Sequence, residues 1–266
     1  MTILAGGDSF VYGLELADCV TGPSKSTFTA LLADTDYRCV AWGGFGNDSI
    51  ARTVMFACER QQPDGVVVSW SFPGRYEFRF AYDTQQFNTP WYVINSWTIQ
   101  ENVEEIRKEF VTENHAILKQ EANHINRAKQ TGVHEFAKTF FKHVGSTEYW
   151  EIYSSLKEIV NLQNYLKCKN IPYMFTCVDN RLFYNNSVDT DMYINTLYKQ
   201  IDFDCWYMFP PGTKAHETQE PRGFYQWAIE NKYEVGPDNH PLEQAHIDAS
   251  VLMQEKFNEL VKKHIQ

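Results

Sequence analysis

The chain has 266 residues, a net charge of −10, and 43% hydrophobic and 22% charged residues. That length buries a full core without metals or disulfides, and the composition is that of an ordinary folded, water-exposed protein. The negative charge argues against non-specific binding to nucleic acid or to an anionic membrane, because phosphates are repelled, and leaves neutral substrates open.

Ile3-Leu4-Ala5 is a short apolar run stopped by Gly6-Gly7, the pattern of a buried strand ending in a tight turn. Ser26 to Asp34 carries apolar residues at helical spacing, and Tyr37 to Trp42 reads as a second strand ended by Gly43-Gly44. Asn47-Asp48-Ser49 supplies N-cap candidates for a helix running to about Gln61. After Pro63-Asp64-Gly65 comes Val66-Val67-Val68-Ser69-Trp70, the most strand-like run in the chain. Continuous apolar strands alternating with helices predict a parallel sheet covered on both faces.

Residues 76–145 break that rhythm and are expected to form an insertion within a single domain spanning 1–266. It opens with an irregular aromatic stretch (Tyr76, Phe78, Phe80, Tyr82, Phe87, Trp91, Tyr92, Trp97) and continues as polar, largely helical sequence from about Gln100 to His143. The α/β pattern then resumes, with a helix near Thr147–Lys169, a strand over Ile171–Cys177 and a C-terminal helix over about Pro241–Lys263. The six cysteines show no C-x-x-C spacing and read as reduced thiols of a reducing compartment. With no basic N-terminal stretch and no apolar run of membrane length, a cytoplasmic protein is expected.

A serine attacks an ester only where a base takes its proton and fixed donors hold the developing oxyanion. Ser9, just past the first strand, sits where open α/β sheets bind ligands. Gly7-Asp8-Ser9 taken alone also fits a simple Asx-type turn. At the far end, Pro237-Asp238-Asn239-His240-Pro241 brings a histidine and a carboxylate close together, although Pro241 is equally at home in a helix's first turn. His246, six residues on, is the competing base. The glycines of Gly43-Gly44-Phe45-Gly46 and the helix start at Asn47 offer N–H donors. His115, His124, His134 and His143 lack metal-ligand spacing and read as exposed, so neither metal nor cofactor is expected.

These segments resemble, in order, the blocks of the SGNH/GDSL hydrolase family. Gly7-Asp8-Ser9-Phe10 is similar to the first block, whose serine is the nucleophile. Ala41-Trp42-Gly43-Gly44-Phe45-Gly46-Asn47-Asp48-Ser49-Ile50 is similar to the second, where a glycine gives an oxyanion N–H, here Gly44 or Gly46. Pro63 to Trp70 is similar to the strand before the third block, and Asp238-Asn239-His240-Pro241 with His246 is similar to the last.

The resemblance implies a three-layer α/β/α flavodoxin-like fold and ester hydrolysis through an acyl-serine, with Ser9, His240 and Asp238 as triad. A small-molecule or glycan (acetyl) ester is the implied substrate, with no nucleic-acid or membrane partner. Similar blocks in marine-phage proteins make a viral origin an expectation. Two departures stand out. Where the family's third block carries an asparagine that completes the oxyanion hole, this chain has Ser71-Phe72-Pro73-Gly74, which leaves Ser71, Arg75 or Asn47 as substitute donors. Losing one such donor costs about 10²–10³ in rate. Asp238 also stands two residues before His240 instead of three, the third being Pro237. A non-catalytic binding module and an acyltransferase using the same triad therefore remain alternatives.

Overall fold

The structure, a computed structural model, describes residues 1–33, 36–81, 91–102, 104, 115–211 and 220–262. In chain order the first elements are β1 (Thr2–Gly6), α1 (Ser9–Tyr12), α2 (Phe28–Leu31), β2 (Asp36–Cys39), α3 (Asn47–Arg60) and β3 (Gly65–Trp70). They are followed by β4 (Tyr76–Arg79), β5 (Trp91–Ile94), α4 (His115–Gln130) and α5 (Val133–Phe140). The chain then forms α6 (Glu148–Cys168), β6 (Tyr173–Cys177), α7 (Asn186–Thr190), α8 (Met192–Tyr198), α9 (Phe224–Glu230) and α10 (Glu243–Leu260).

The central sheet is parallel, in the order β2-β1-β3-β6. A single parallel bridge, Phe175 to Trp206, adds a rudimentary fifth position beyond β6, so the order is the flavodoxin-like one. The continuous apolar runs are explained by burial on both faces: every residue of β3 and of β6 is buried. Strand alternation divides the core in two. Leu4, Val66, Val68, Trp70 and Phe175 pack with α3 and α6 on one face, while Ile3, Ala5, Val67 and Met174 pack with α2, α9 and α10 on the other. Three layers result.

Where α6 starts, Thr147 accepts a hydrogen bond from the Trp150 N–H, with Glu148 and Glu151 in the first turn facing the positive end of the helix dipole. The start of α3 differs from expectation. Gly46 is the N-cap, and Asn47 and Asp48 are already helical: Asn47 turns to the Ser71 backbone, while Asp48 accepts from the Ser49 N–H in the same turn and from the Glu77 N–H. The second strand is also shorter than expected, ending at Cys39.

Within residues 76–145, the aromatic stretch is less irregular than its composition suggests. Tyr76–Arg79 and Trp91–Ile94 pair as an antiparallel ribbon, with Tyr76, Tyr92 and Ile94 buried against Ala128, Val133, Ala137 and Phe141 of the helical part. Tyr82, Phe87 and the stretch 105–114 lie outside the described residues. His134, expected at the surface, is 2% exposed and its Nε2 lies 3.1 Å from the Gln100 carbonyl. His124 and His143 are exposed as expected, and the His115 side chain lies outside the described residues. All six cysteines are free thiols. Among the described residues no helix is long and apolar enough to cross a membrane.

Phe175 is fully buried on β6 between Trp70, Tyr173 and Trp206. Replacing it with alanine opens a cavity that rigid neighbours cannot refill. Phe175→Ala is therefore expected to lower unfolding free energy by about 3–5 kcal/mol, read from urea denaturation.

Candidate active site

The sheet places three loops side by side at the C-terminal ends of β2, β1 and β3. From β1 the chain moves to one side to form β2 and to the other to form β3, so the crevice between β1 and β3 is the topological switch point. Ser9 stands there, 6% exposed, at the first position of α1.

Asp8 caps that short helix by accepting from the Phe10 N–H through Oδ1 (3.1 Å). Its Oδ2 crosses the crevice, accepting from Ser71 Oγ at 2.6 Å and pairing with Arg75 Nη1 at 3.2 Å. Arg75 Nη1 also donates to Ser71 Oγ (2.9 Å) and to the Phe45 carbonyl (3.4 Å). Asn47 grips the end of β3 from the other side: its Oδ1 accepts from the Ser71 N–H (2.8 Å), while its Nδ2 donates to the Ser71 carbonyl (3.3 Å) and to Ser155 Oγ (3.0 Å). Ser71 and Asn47, expected as oxyanion donors, thus have their donors engaged within the scaffold. Arg75, expected also to attract an anionic group, spends its charge on Asp8.

Three backbone N–H groups remain. Among the described residues no hydrogen bond is made by the N–H of Ser9, Gly44 or Gly46. Ser9 and Gly46 belong to helix starts, whose first N–H groups have no partner within the helix. Gly44 has φ of +83°, which glycine adopts without penalty. Gly46 is needed for a close approach, since a Cβ there would lie 2.4 Å from the Arg75 carbonyl oxygen.

His240 follows a tight turn in which the Asn239 N–H donates to the Gly236 carbonyl and the Gly236 N–H to the His240 carbonyl, both at 2.9 Å. Asn239 has φ of +61°, a conformation asparagine tolerates better than most residues. The imidazole packs on Phe10, the residue after Ser9, with ring centroids 5.0 Å apart. Its carboxylate partner is not Asp238 but Glu15: His240 Nδ1 and Glu15 Oε2 are 2.9 Å apart. Asp238 contributes its backbone instead, its N–H lying 2.9 Å from Glu15 Oε1, and the His240 N–H donates to Oε2 at 3.3 Å.

Two features let that carboxylate reach the loop. Glu15 has φ of +71°, a strained conformation for a residue with a Cβ. Gly236 has no Cβ, and one placed there would fall 2.6 Å from the Glu15 carboxylate. Burial alone would raise the Glu15 carboxyl, but the hydrogen bonds and charge of His240 and the Asp238 N–H hold it below its ordinary range. Among the described residues, no hydrogen bond joins Ser9 to His240, whose Nε2 is likewise without a partner.

His246 is no competitor for the base. It is 1% exposed, and its Nδ1 accepts from the Phe28 N–H (3.2 Å). The ring stacks on Phe28 at 5.6 Å and packs on Phe224 at 4.8 Å. A neutral ring suits that surrounding, and burial above all, with the nearby His240 adding to it, pulls its pKa down to about 3.

Glu15 could not be picked out from the sequence, because only the folded chain brings position 15 to position 240. In retrospect, Gly13-Leu14-Glu15 shortly after Ser9, together with the Gly236 turn, is its faint signal. Among the described residues no cluster of side chains could hold a metal ion.

No protein-family model and no curated protein sequence matches the chain. Two solved structures align with it almost end to end. One is the psychrotrophic esterase EstA from Pseudoalteromonas sp., inhibited by monoethylphosphonate: 12% identity, 98% of this chain and 97% of that one, TM-score 0.42. The other is a protein assigned to the G-D-S-L lipolytic family from Desulfitobacterium hafniense DCB-2: 12% identity, 96% and 98% coverage, TM-score 0.29. At that level of superposition neither adds to what the strand order and the site geometry establish.

A buried neutral histidine links stability to pH. Because the folded state holds His246 near 3 and an unfolded chain near 6.5, the unfolded state takes up the proton first. The contribution of His246 is complete above pH 6.5 and is lost progressively as pH falls toward 3. Urea midpoints measured from pH 7 to 4.5 are expected to fall more steeply for the wild type than for His246→Gln, which keeps an acceptor for Phe28. Parallel curves would contradict this.

Proposed function

We propose that the chain is a serine ester hydrolase of the SGNH/GDSL kind, in which Ser9 is the nucleophile, His240 the base and Glu15 the carboxylate that orients it. The observation that carries this reading is the 2.9 Å contact between Glu15 and His240 Nδ1, with the imidazole packed on Phe10, the residue after Ser9. Holding Nδ1 as the donor leaves Nε2 as the basic nitrogen, the tautomer a general base needs.

Ser9 Oγ attacks the ester carbonyl while His240 Nε2 takes its proton. The Ser9 N–H and that of Gly44 or Gly46 receive the negative oxygen. The imidazolium, stabilised by Glu15, then protonates the departing alcohol and leaves acyl-Ser9. Water, deprotonated by the same nitrogen, releases the acid and restores the serine. With Ser71 and Asn47 engaged elsewhere, the oxyanion is held by backbone donors, which suits a slower enzyme than one with an added side-chain donor.

The absence of a Ser9–His240 hydrogen bond favours one competing reading, a fold kept for binding without turnover. Catalytic contacts often tighten only once substrate is bound, so reactivity is the deciding measurement. Wild type is expected to hydrolyse p-nitrophenyl acetate and to be labelled at Ser9 by a fluorophosphonate, whereas Ser9→Ala does neither. Absence of both in the wild type decides for the binding module. Glu15→Gln is expected to lower kcat by about 10²–10⁴, as loss of the orienting carboxylate does in serine triads. Asp238→Asn, which keeps the backbone N–H, should stay within a few-fold of wild type. The opposite ranking would return the role to Asp238.

A further inference from the structure

The loop carrying Gly44 has a second neighbour. Trp42 to Phe45 form one wall of a cavity of about 350 Å³, whose other walls come from α3, the β4–β5 ribbon and α4. That is the size range of small-molecule sites, about 300–1,000 Å³. Ser9 is not part of the lining, but the two regions share this loop. On the Ser9 side, Gly43 packs against Leu14, and the Phe45 carbonyl accepts from Arg75, the ion-pair partner of Asp8.

Aromatic faces and matched polar groups make up the walls. Trp42 is 57% exposed and touches Tyr12 edge-on, with ring centroids 5.0 Å apart. Trp91 lies under the Arg52 guanidinium, 4.4 Å from its centroid. Arg52 is itself held by Glu77 through two hydrogen bonds of 2.5 and 2.7 Å, so this cation is already neutralised. Asn95 uses its carbonyl oxygen on the Trp97 and Thr98 N–H groups, and its amide nitrogen donates to none of the described residues.

Of the two arginines in the lining, Arg52 has its charge paired by Glu77 and Arg127 lies against the Tyr92 ring, 5.4 Å from its centroid, so neither is set aside for an anionic ligand. An alkyl chain would cut the Asn95 amide nitrogen off from water without replacing its hydrogen bonds, at about 1–3 kcal/mol for the stranded group. A pyranose ring meets both demands, because its C–H face stacks on indole while its hydroxyls both donate and accept.

We infer that this cavity is a subsite for a neutral pyranose, the alcohol part of the ester whose cleavage is proposed above. The assignment of the sugar to the ester rests on that esterase reading; the binding itself does not. Sharing the Gly44 loop sets the sugar next to the backbone donors of the oxyanion.

Calorimetric titration of Ser9→Ala, which avoids turnover, with xylotetraose, cellotetraose and chitotetraose tests this directly. Saturable binding of at least one is expected, weakened at least tenfold when Trp42→Ala is added. Trp91→Leu serves as the second variant, and circular dichroism verifies that each remains folded. No binding by any of the three sugars overturns the proposal, as does binding that neither substitution weakens. Binding of decanoate in their place, sensitive to Trp42→Ala, overturns it in favour of an acyl site. Failure here leaves the esterase reading intact, and an inert Ser9 toward p-nitrophenyl acetate leaves sugar binding intact.

Discussion

Asp8 carries a carboxylate into a position with no solvent exposure, immediately before Ser9. A buried charge survives only when its lost hydration is replaced by an opposite charge and by hydrogen bonds. Here the replacements come from three directions: the Phe10 N–H on its own loop, Ser71 at the end of β3, and Arg75 two turns of chain further on. Arg75 in turn reaches the Phe45 carbonyl on the loop after β2. One carboxylate therefore ties together the exits of all three neighbouring strands. Breaking such a pair from one side typically costs about 3–5 kcal/mol, because the other charge is left buried and alone. That penalty fixes where Ser9 and the glycine loop stand relative to each other, before any substrate arrives.

The same network also holds the end of β3. There the Ser71 hydroxyl serves Asp8, and the Ser71 backbone is held by Asn47 across from α3. Asn47 spends its side chain on the Ser71 backbone and on Ser155, not on the crevice. The donors left over are backbone groups whose directions are fixed by glycine conformation and by helix geometry. These need no side-chain reorganisation as charge develops on an oxyanion.

Much of the frame was legible in the sequence because its signal is local. Val66 to Trp70 and Tyr173 to Cys177 are continuous apolar runs, and such runs report burial on both faces directly. The ribbon of β4 and β5 was not legible. Tyr76-Glu77-Phe78-Arg79 does alternate apolar and polar residues, but its partner Trp91-Tyr92-Val93-Ile94 is apolar at every position, so the pair shows no shared period-2 pattern. Ser9, His240 and the glycine loop were legible for the same reason as the strands, each being a short motif at a strand end or turn. Asp238 was the natural partner for His240 when only neighbours in sequence can be weighed. Glu15 lies 225 residues away and reaches the imidazole through a left-handed backbone and a missing Cβ at Gly236, neither of which leaves a pattern in the residues nearby. His246 looked like a second base until packing put it between Phe28 and Phe224.

Charge balance connects these parts. The chain as a whole is strongly acidic, yet three carboxylates here are paired with a cation or an imidazole, Asp8 with Arg75, Glu15 with His240 and Glu77 with Arg52, while Asp48 beside Gly46 is held by backbone N–H groups and burial pushes its pKa up to about 6. Around the proposed nucleophile this matters twice. A paired arginine offers no strong attraction to an anion, and the acidic exterior repels one at longer range. An unpaired carboxylate near Ser9 would oppose the negative charge that builds on the carbonyl oxygen, whereas a paired one contributes little field at that distance. Pairing of this kind around Ser9 suits the neutral ester proposed as the substrate. Glu15 is the one carboxylate whose partner changes charge during the proposed reaction, so its field strengthens the site at the moment the imidazole takes the proton.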